Sequence, residues 1–345
     1  MPQTSEKTMA EFNEELADMG LRGQWIYDDL LERLVGGPKP VGDAHIWKWD
    51  KVEPKLMEML ILMQESYTAR RNFSFINPAP QVGGTTQTIL AGMQVVKPGE
   101  VAWGHRHPIS ALRFAIEGSE RLYTVVNGEP LKMEKHDLVL TPAWTWHDHH
   151  NDGENLGIWL DVLDVPLVRA LGQMAYEPLG EVSQPVLPAQ PHPSSRHTSI
   201  RPRWEPRREG TIPYRYAWSD VERQMQAFAD VEGSPYDGQV FEYANPGTGG
   251  PTLPTLACAV HNFRPGFVGG RCRKTSSTVF YVVEGEGTTI VGDKELKWGA
   301  RDVFSIPSWV WYEHRNNSSD SRAVLFSTDD SPLLVMADLY RNEVA

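Results

Sequence analysis

The sequence predicts an all-β protein made of two copies of one small barrel domain, with a helical stretch ahead of them. Three observations carry that prediction. Glycine (29) and proline (26) supply about a sixth of the 345 residues, alongside 12 tryptophans, a mixture suited to short strands joined by tight turns. From Asn72 onward, alternating or β-branched runs such as "FSFIN", "TILAGMQVV" and "RLYTVV" are separated by the glycine-bearing turns "KPGE", "EGSE" and "NGEP". The pattern then repeats. "NFSFINP" (72–78) returns as "VFEYANP" (240–246), "KPG" (97–99) as "RPG" (264–266), and the "EG" of 117–118 at 284–285. "PAWTWHDHHN" (142–151) returns as "PSWVWYEHRN" (307–316).

Taken in order, residues 1–70 read as a helical extension. "TMAEFNEELADMG" (8–20) has apolar residues at helical spacing and stops at a glycine, and a second helix is expected through "KVEPKLMEMLILMQESYTA" (51–69). Residues 71–177 form the first barrel and 226–345 the second. Between them, 178–225 reads as a linker or surface arm, with eight prolines across 178–213. The arm gathers arginines at 196, 201, 203, 207, 208 and 215, expected to pair with acidic surface rather than to form an anion-binding strip. The net charge of −12, from 33 Lys and Arg against 45 Asp and Glu, argues against a nucleic-acid partner. The polar start and the lack of a long apolar run predict no membrane partner, and Cys258 and Cys272 read as reduced thiols. The expectation is a cytoplasmic protein.

Aligning the two copies separates scaffold from chemistry. Trp144/Trp309, Trp146/Trp311 and Asn151/Asn316 persist, as turns and core require. By contrast His105 meets Cys272, His107 meets Lys274 and His147 meets Tyr312, while Arg113 meets Phe280 and Asp161 meets Phe326. One site is expected, in the first copy. His105 and His107, two apart, share a strand face, and with His147 from a neighbouring strand three neutral imidazoles can converge on one first-row metal. An isolated His-x-His pair is ordinarily an exposed or satisfied pair; the surrounding spacing reverses that reading. Arg113 offers a planar fork for a carboxylate. His149, two residues beyond His147, can orient a partner or carry a proton, although His314 keeps a histidine in the silent copy. Asp161 reads either as an orienting carboxylate or as a strand-end turn residue.

The spacing Gly99, His105-x-His107, Pro142, His147, Asn151 resembles the cupin superfamily, a jelly-roll barrel fold. Many cupins place a glutamate ligand four or five residues after the second histidine; here Ala111 and Leu112 stand there. Three neutral ligands leave the metal's full charge and open positions for an anionic chelate and dioxygen. A manganese oxalate decarboxylase-like bicupin would need that glutamate and metal in both halves. A non-catalytic binding bicupin would tolerate lost ligands in both copies, and no sugar-phosphate signature supports an isomerase cupin.

"HRHPISALRFAIEG", "TPAWTWHDHHN" and "WLDVLDVPLV" are closely similar to the gentisate 1,2-dioxygenase family, bicupin enzymes that include salicylate and 1-hydroxy-2-naphthoate dioxygenases. The resemblance implies Fe(II) on His105, His107 and His147, with Arg113, His149 and Asp161 as catalytic or substrate-facing residues. It places Gly92 and Gln94 in the substrate pocket, with Arg70 or Arg71 as a further cation making that pocket locally positive. Position 90 is Leu90 where family members carry a large aromatic, which opens the pocket to a bulkier ring. The implied reaction adds both atoms of dioxygen across the bond between the carboxyl-bearing and hydroxyl-bearing carbons of a 2-hydroxybenzoate. Gentisate is the first expectation; salicylate, a 5-substituted salicylate and 1-hydroxy-2-naphthoate are the alternatives. The resemblance also implies a homotetramer or homodimer.

Overall fold

The structure, a computed structural model, describes residues 7–63, 71–187 and 213–345. The chain divides into two compact units, Met1–Lys39 and Pro40–Ala345. In the first, Thr8 and Glu11 close a reciprocal capping box at the start of α1 (Met9–Asp18), which ends before Gly20 as its spacing predicts. A 3-10 turn (Gln24–Tyr27) leads into α2 (Asp28–Leu34), and Trp25 stacks on Phe12 at 5.9 Å.

The second unit is two copies of one long repeat. The first runs β1 (His45–Trp47), α3 (Trp49–Leu62), β2 (Arg71–Ser74), β3 (Leu90–Val96), β4 (Val101–Arg106), β5 (Ala111–Glu117) and β6 (Ser119–Val126). It continues through β7 (Glu129–Met133), β8 (Leu138–Thr141), β9 (His147–Asn151), β10 (Gly157–Leu163), α4 (Val165–Ala170) and β11 (Glu177–Pro178). The second runs β12 (Tyr214–Tyr216), α5 (Trp218–Ala227), β13 (Gln239–Glu242), β14 (Ala257–Phe263), β15 (Cys272–Lys274) and β16 (Thr278–Glu284). It ends with β17 (Glu286–Val291), β18 (Lys294–Gly299), β19 (Val303–Ile306), β20 (Tyr312–Asn316), β21 (Ala323–Asp329), α6 (Ser331–Met336) and β22 (Asn342–Val344). One barrel is formed by the sheets β12-β8-β5-β10-β3-β2 and β11-β4-β9-β6-β7. The other, β1-β19-β16-β21-β14-β13 and β18-β17-β20-β15-β22, repeats that order strand for strand.

The leading strands are exchanged. β1 adds to the second barrel, pairing Trp47 with Val303, and β12 adds to the first, pairing Tyr216 with Leu138. The helix after each is anchored identically: Trp49 N–H donates to Asp302 Oδ1 and Trp218 N–H to Asp137 Oδ1, both at 2.8 Å. Residues 40–62 and 213–225, expected as parts of an extension and a linker, are therefore in the openings of the two repeats. Three-residue strands are too short to show a period, so the sequence displayed only the helix of α3. That helix starts two residues before its expected beginning; residues 64–70, where its expected end falls, lie outside the described residues, as do 188–212 of the arm. Arg215 of the arm pairs with Glu134 and Asp137.

Apolar side chains fill three spaces. Val96, Ala115, Val126, Met133, Val139 and Trp159 line the first barrel, and Phe263, Phe280, Val282, Trp298, Phe304 and Leu325 the second. The outer faces of the two six-stranded sheets form the third, where Phe114 stacks on Phe326 at 4.4 Å. Strands such as β5 are thus buried on both faces, and the sequence of β5, ALRFAIE, is apolar apart from Arg113 and the terminal Glu117. Polar clasps link the repeats at the starts of α4 and α6. Asp164 accepts from Ser110 N–H (2.9 Å) and Thr255 Oγ1 (2.7 Å), and Asp330 from Ser277 N–H (2.8 Å) and the Thr88 hydroxyl.

Burial, with Asp329 close by, pushes the Asp330 carboxyl up to about 6. Its folded value lies above its unfolded one, so the stability it contributes is complete below about pH 4 and lost as pH rises through 6. Asp330→Asn should therefore match wild type near pH 4 and gain on it toward pH 7, by at most about 3 kcal/mol, in denaturant titrations across that range.

Candidate metal and substrate site

His105 ends up inside the first barrel because β4 carries a bulge. Its register against β9 runs Val101↔His150 and Ala102↔His149 and then slips to His105↔His147, so three steps on β4 span two on β9. The extra residue turns the chain at Trp103–Gly104. A Cβ at Gly104 would meet Leu179 Cδ2 at 2.7 Å, so a side chain there requires Leu179 to move.

His105, His107 and His147 are all buried, and their ligand nitrogens lie within 4.8 Å of one another. Each Nδ1 faces a backbone carbonyl: Trp103 O at 2.8 Å, Ile109 O at 2.9 Å and Thr145 O at 3.0 Å. A carbonyl can only accept, so each Nδ1 carries a proton, and in the neutral ring that a metal binds each Nε2 then keeps its lone pair. That is the donor set a borderline divalent metal takes, and the three imidazoles fit one. Among the described residues this is the one group of three or more such side chains close enough for the purpose. The turn ahead of His147 places Trp144 at φ 62°, with its N–H on His107 O at 2.7 Å. Trp309 (φ 57°, N–H on Lys274 O at 2.7 Å) repeats it in the other barrel, so this backbone strain belongs to the scaffold.

The opposite sheet supplies the remaining polar groups. Arg113 is buried, its Nη1 donates to Thr141 Oγ1 at 2.5 Å, and its Nε stands 3.3 Å from Asp161 Oδ1. Burial pushes the guanidinium down from its ordinary value and Asp161 opposes that shift. Register places Arg113 opposite Asp161, and Asp161 opposite Gly92. Gly92 cannot carry a side chain, because a Cβ would lie 2.4 Å from Phe73 O of β2. Gln94 and half-buried Leu90 share the Gly92 face, and Gln94 Nε2 is a buried donor with no acceptor among the described residues. His149 is fully buried, with Nδ1 2.8 Å from Thr124 Oγ1, and His314 meets Thr289 in the other barrel at the same distance.

Three expectations need correction or completion. Arg71 does not point into the barrel. It pairs in register with Val95, on the outer face of β3, donates through Nε to Met63 O (2.6 Å) and bonds Glu100 through Nη1 (2.7 Å). Arg70 lies outside the described residues. The counterpart of Asp161 is Ser327 rather than Phe326, since Phe280 pairs with Ser327 as Arg113 pairs with Asp161. Sequence reasoning also missed Tyr176, whose ring stacks on His105 at 5.3 Å just ahead of β11. Only the pairing of Glu177 with Arg106, invisible in sequence, brings that tyrosine there.

In the second barrel the equivalent space holds Cys272, Lys274 and Tyr312, with Lys274 Nζ 3.3 Å from Asp237 Oδ2. His105→Ala, His107→Ala and His147→Ala should each abolish stoichiometric binding of a first-row divalent metal, measured by elemental analysis after dialysis. Tyr312→Phe should leave the metal content unchanged.

A cupin-domain family model matches residues 92–163 and again 259–329. A 1-hydroxy-2-naphthoate 1,2-dioxygenase from Nocardioides sp. (strain KP7) is 43% identical over 330 residues, covering 95% of this chain and 85% of the relative. A 5-aminosalicylate 1,2-dioxygenase from Comamonas sp. is 37% identical, covering 99% and 92%. The crystal structure of a salicylate 1,2-dioxygenase from Pseudaminobacter salicylatoxidans superposes with a TM-score of 0.85 at 27% identity, covering 100% of this chain and 99% of that one. With the fold, the histidine trio and these likenesses together, the chain belongs to the gentisate 1,2-dioxygenase family of ring-cleaving bicupins.

Proposed function

We propose that the protein is a ferrous dioxygenase that opens the ring of an aromatic 2-hydroxy acid between its carboxyl-bearing and hydroxyl-bearing carbons, with 1-hydroxy-2-naphthoate as its preferred substrate. The observation that carries the reaction class is the buried trio of Nε2 lone pairs in a barrel whose other wall presents Arg113. His105, His107 and His147 would hold the iron. Bound iron supplies Lewis acidity toward the phenolic oxygen and the one-electron chemistry that dioxygen needs.

The chain's own groups do the rest. Arg113 binds the carboxylate, and Asp161 holds the guanidinium in place through its 3.3 Å contact. Gln94 Nε2, buried without an acceptor among the described residues, gains one from a ring oxygen or from dioxygen; a donor left unpaired there costs about 1–3 kcal/mol. His149 serves as the proton carrier beside His147, at a ring separation of 5.9 Å, while its Thr124 contact is scaffold. The surrounding barrel wall excludes water through Ala115, Val139 and Trp159. Dioxygen as co-substrate, a cytoplasmic setting and a homotetramer or homodimer belong to the same proposal.

The choice of a fused ring over gentisate has two supports. The 43% identical relative is a hydroxynaphthoate enzyme. Leu90, on the Gly92 and Gln94 face, takes less space than the large aromatic expected there. Oxygen uptake by anaerobically Fe(II)-loaded protein should show its highest kcat/KM for 1-hydroxy-2-naphthoate among that acid, gentisate, salicylate and 5-substituted salicylates. Uptake with none of them would refute the reaction class. Leu90→Trp should cut the naphthoate's kcat/KM about tenfold or more while changing that for salicylate less.

A further inference from the structure

The second barrel shows which polar groups inside the first the fold does not demand. Strand register pairs Arg113 with Phe280 and Asp161 with Ser327 in equivalent positions, and by the same register Thr141 with Ile306 and Trp159 with Leu325. Two side chains whose polar groups the proposed chemistry has not used, the Thr141 hydroxyl and the Trp159 indole N–H, are therefore confined to the barrel that holds the histidine trio. Both are fully buried.

Their contacts form one chain across three adjacent strands. The Thr141 hydroxyl donates its single proton to Ala111 O at 3.1 Å, so toward Arg113 Nη1 it can only accept. The Trp159 indole N–H donates to Asp161 Oδ1 at 3.0 Å, the same oxygen that stands 3.3 Å from Arg113 Nε. The guanidinium is thus hydrogen-bonded at Nη1 and in ion-pair contact with Asp161 on its Nε side, while neither Nε nor Nη2 makes a hydrogen bond among the described residues. A planar fork bonded at Nη1 and drawn toward the Asp161 carboxylate on its Nε side favours one orientation, with Nη2 as its remaining edge.

We propose that Thr141 and Trp159 are positioning residues that turn the Arg113 fork so that Nη2 is the donor offered to the substrate carboxylate. The inference rests on reading Arg113 as the carboxylate contact, so its test has an arm for each. Anaerobic calorimetry on the Fe(II)-loaded protein would compare the dissociation constant of 1-hydroxy-2-naphthoate with that of 1-naphthol, which lacks the carboxylate. The ratio of the two reports the carboxylate contact with no turnover.

Arg113→Gln should collapse that ratio. Thr141→Val, nearly isosteric but without the acceptor, should weaken binding of the acid about tenfold and leave 1-naphthol unchanged, and Thr141→Ser should restore the wild-type ratio. Trp159→Phe should shift the ratio in the same direction. Metal content and melting temperature, measured alongside, identify any variant that fails to fold. A Thr141→Val protein with the full wild-type ratio, beside an Arg113→Gln protein that has lost it, overturns the inference and leaves the function standing. Equal weakening of both ligands by Thr141→Val also overturns it, as simple packing damage. An unchanged ratio in Arg113→Gln removes the premise, and the inference falls with it.

Discussion

Three backbone carbonyls set the chemistry of the first barrel. By accepting the Nδ1 protons of His105, His107 and His147, the carbonyls of Trp103, Ile109 and Thr145 fix the tautomer of every ring and turn every Nε2 lone pair the same way. Each carbonyl lies two residues from its ring, so the local chain that presents each histidine also orients it. The bulge at Trp103–Gly104 is part of that device, because without the slipped register His105 would not oppose His147. A neutral, buried donor trio follows, and with it a centre whose charge is left for an anionic substrate to balance.

The same fold is present twice, and the chemistry once. Sheet order, exchanged leading strands, helix anchors and even the left-handed tryptophans of the two turns repeat. What differs is the lining. Arg113, Asp161, Thr141 and Trp159 on one side of the molecule face Phe280, Ser327, Ile306 and Leu325 in the equivalent places on the other. Phe280 stacks on Phe304 at 4.8 Å and fills space that a ligand would otherwise take. The second barrel still matters to the first: the double-faced burial of strands such as β5 needs the partner sheet, and Phe114 on the outer face is the immediate neighbour of Arg113 on the inner one.

Much of this was legible in sequence for a physical reason: the repeat supplied a control from within the chain. Positions that the fold needs persist in both copies, and the histidines stood out because Cys272, Lys274 and Tyr312 replace them. The same comparison slipped by one at Asp161, since the loop before β21 (residues 317–322) is one residue longer than the loop before β10 (residues 152–156), and only strand register shows where the extra residue falls. Arg71 looked available because charge alone does not say which face of a strand a residue takes; its contacts with Glu100 and Met63 do. Thr141 and Trp159 carried no signal in sequence, because their meaning lies in partners on adjacent strands. The exchange of β1 and β12 was equally invisible, being a fact about which barrel a three-residue strand joins.

X-ray absorption at the iron edge of the Fe(II)-loaded protein tests the central claim most directly. The account predicts one iron per chain whose scattering requires three imidazole nitrogens and no sulfur. A site fitted by two or fewer imidazoles, a sulfur neighbour drawn from Cys272, or a second equivalent of iron per chain would contradict it.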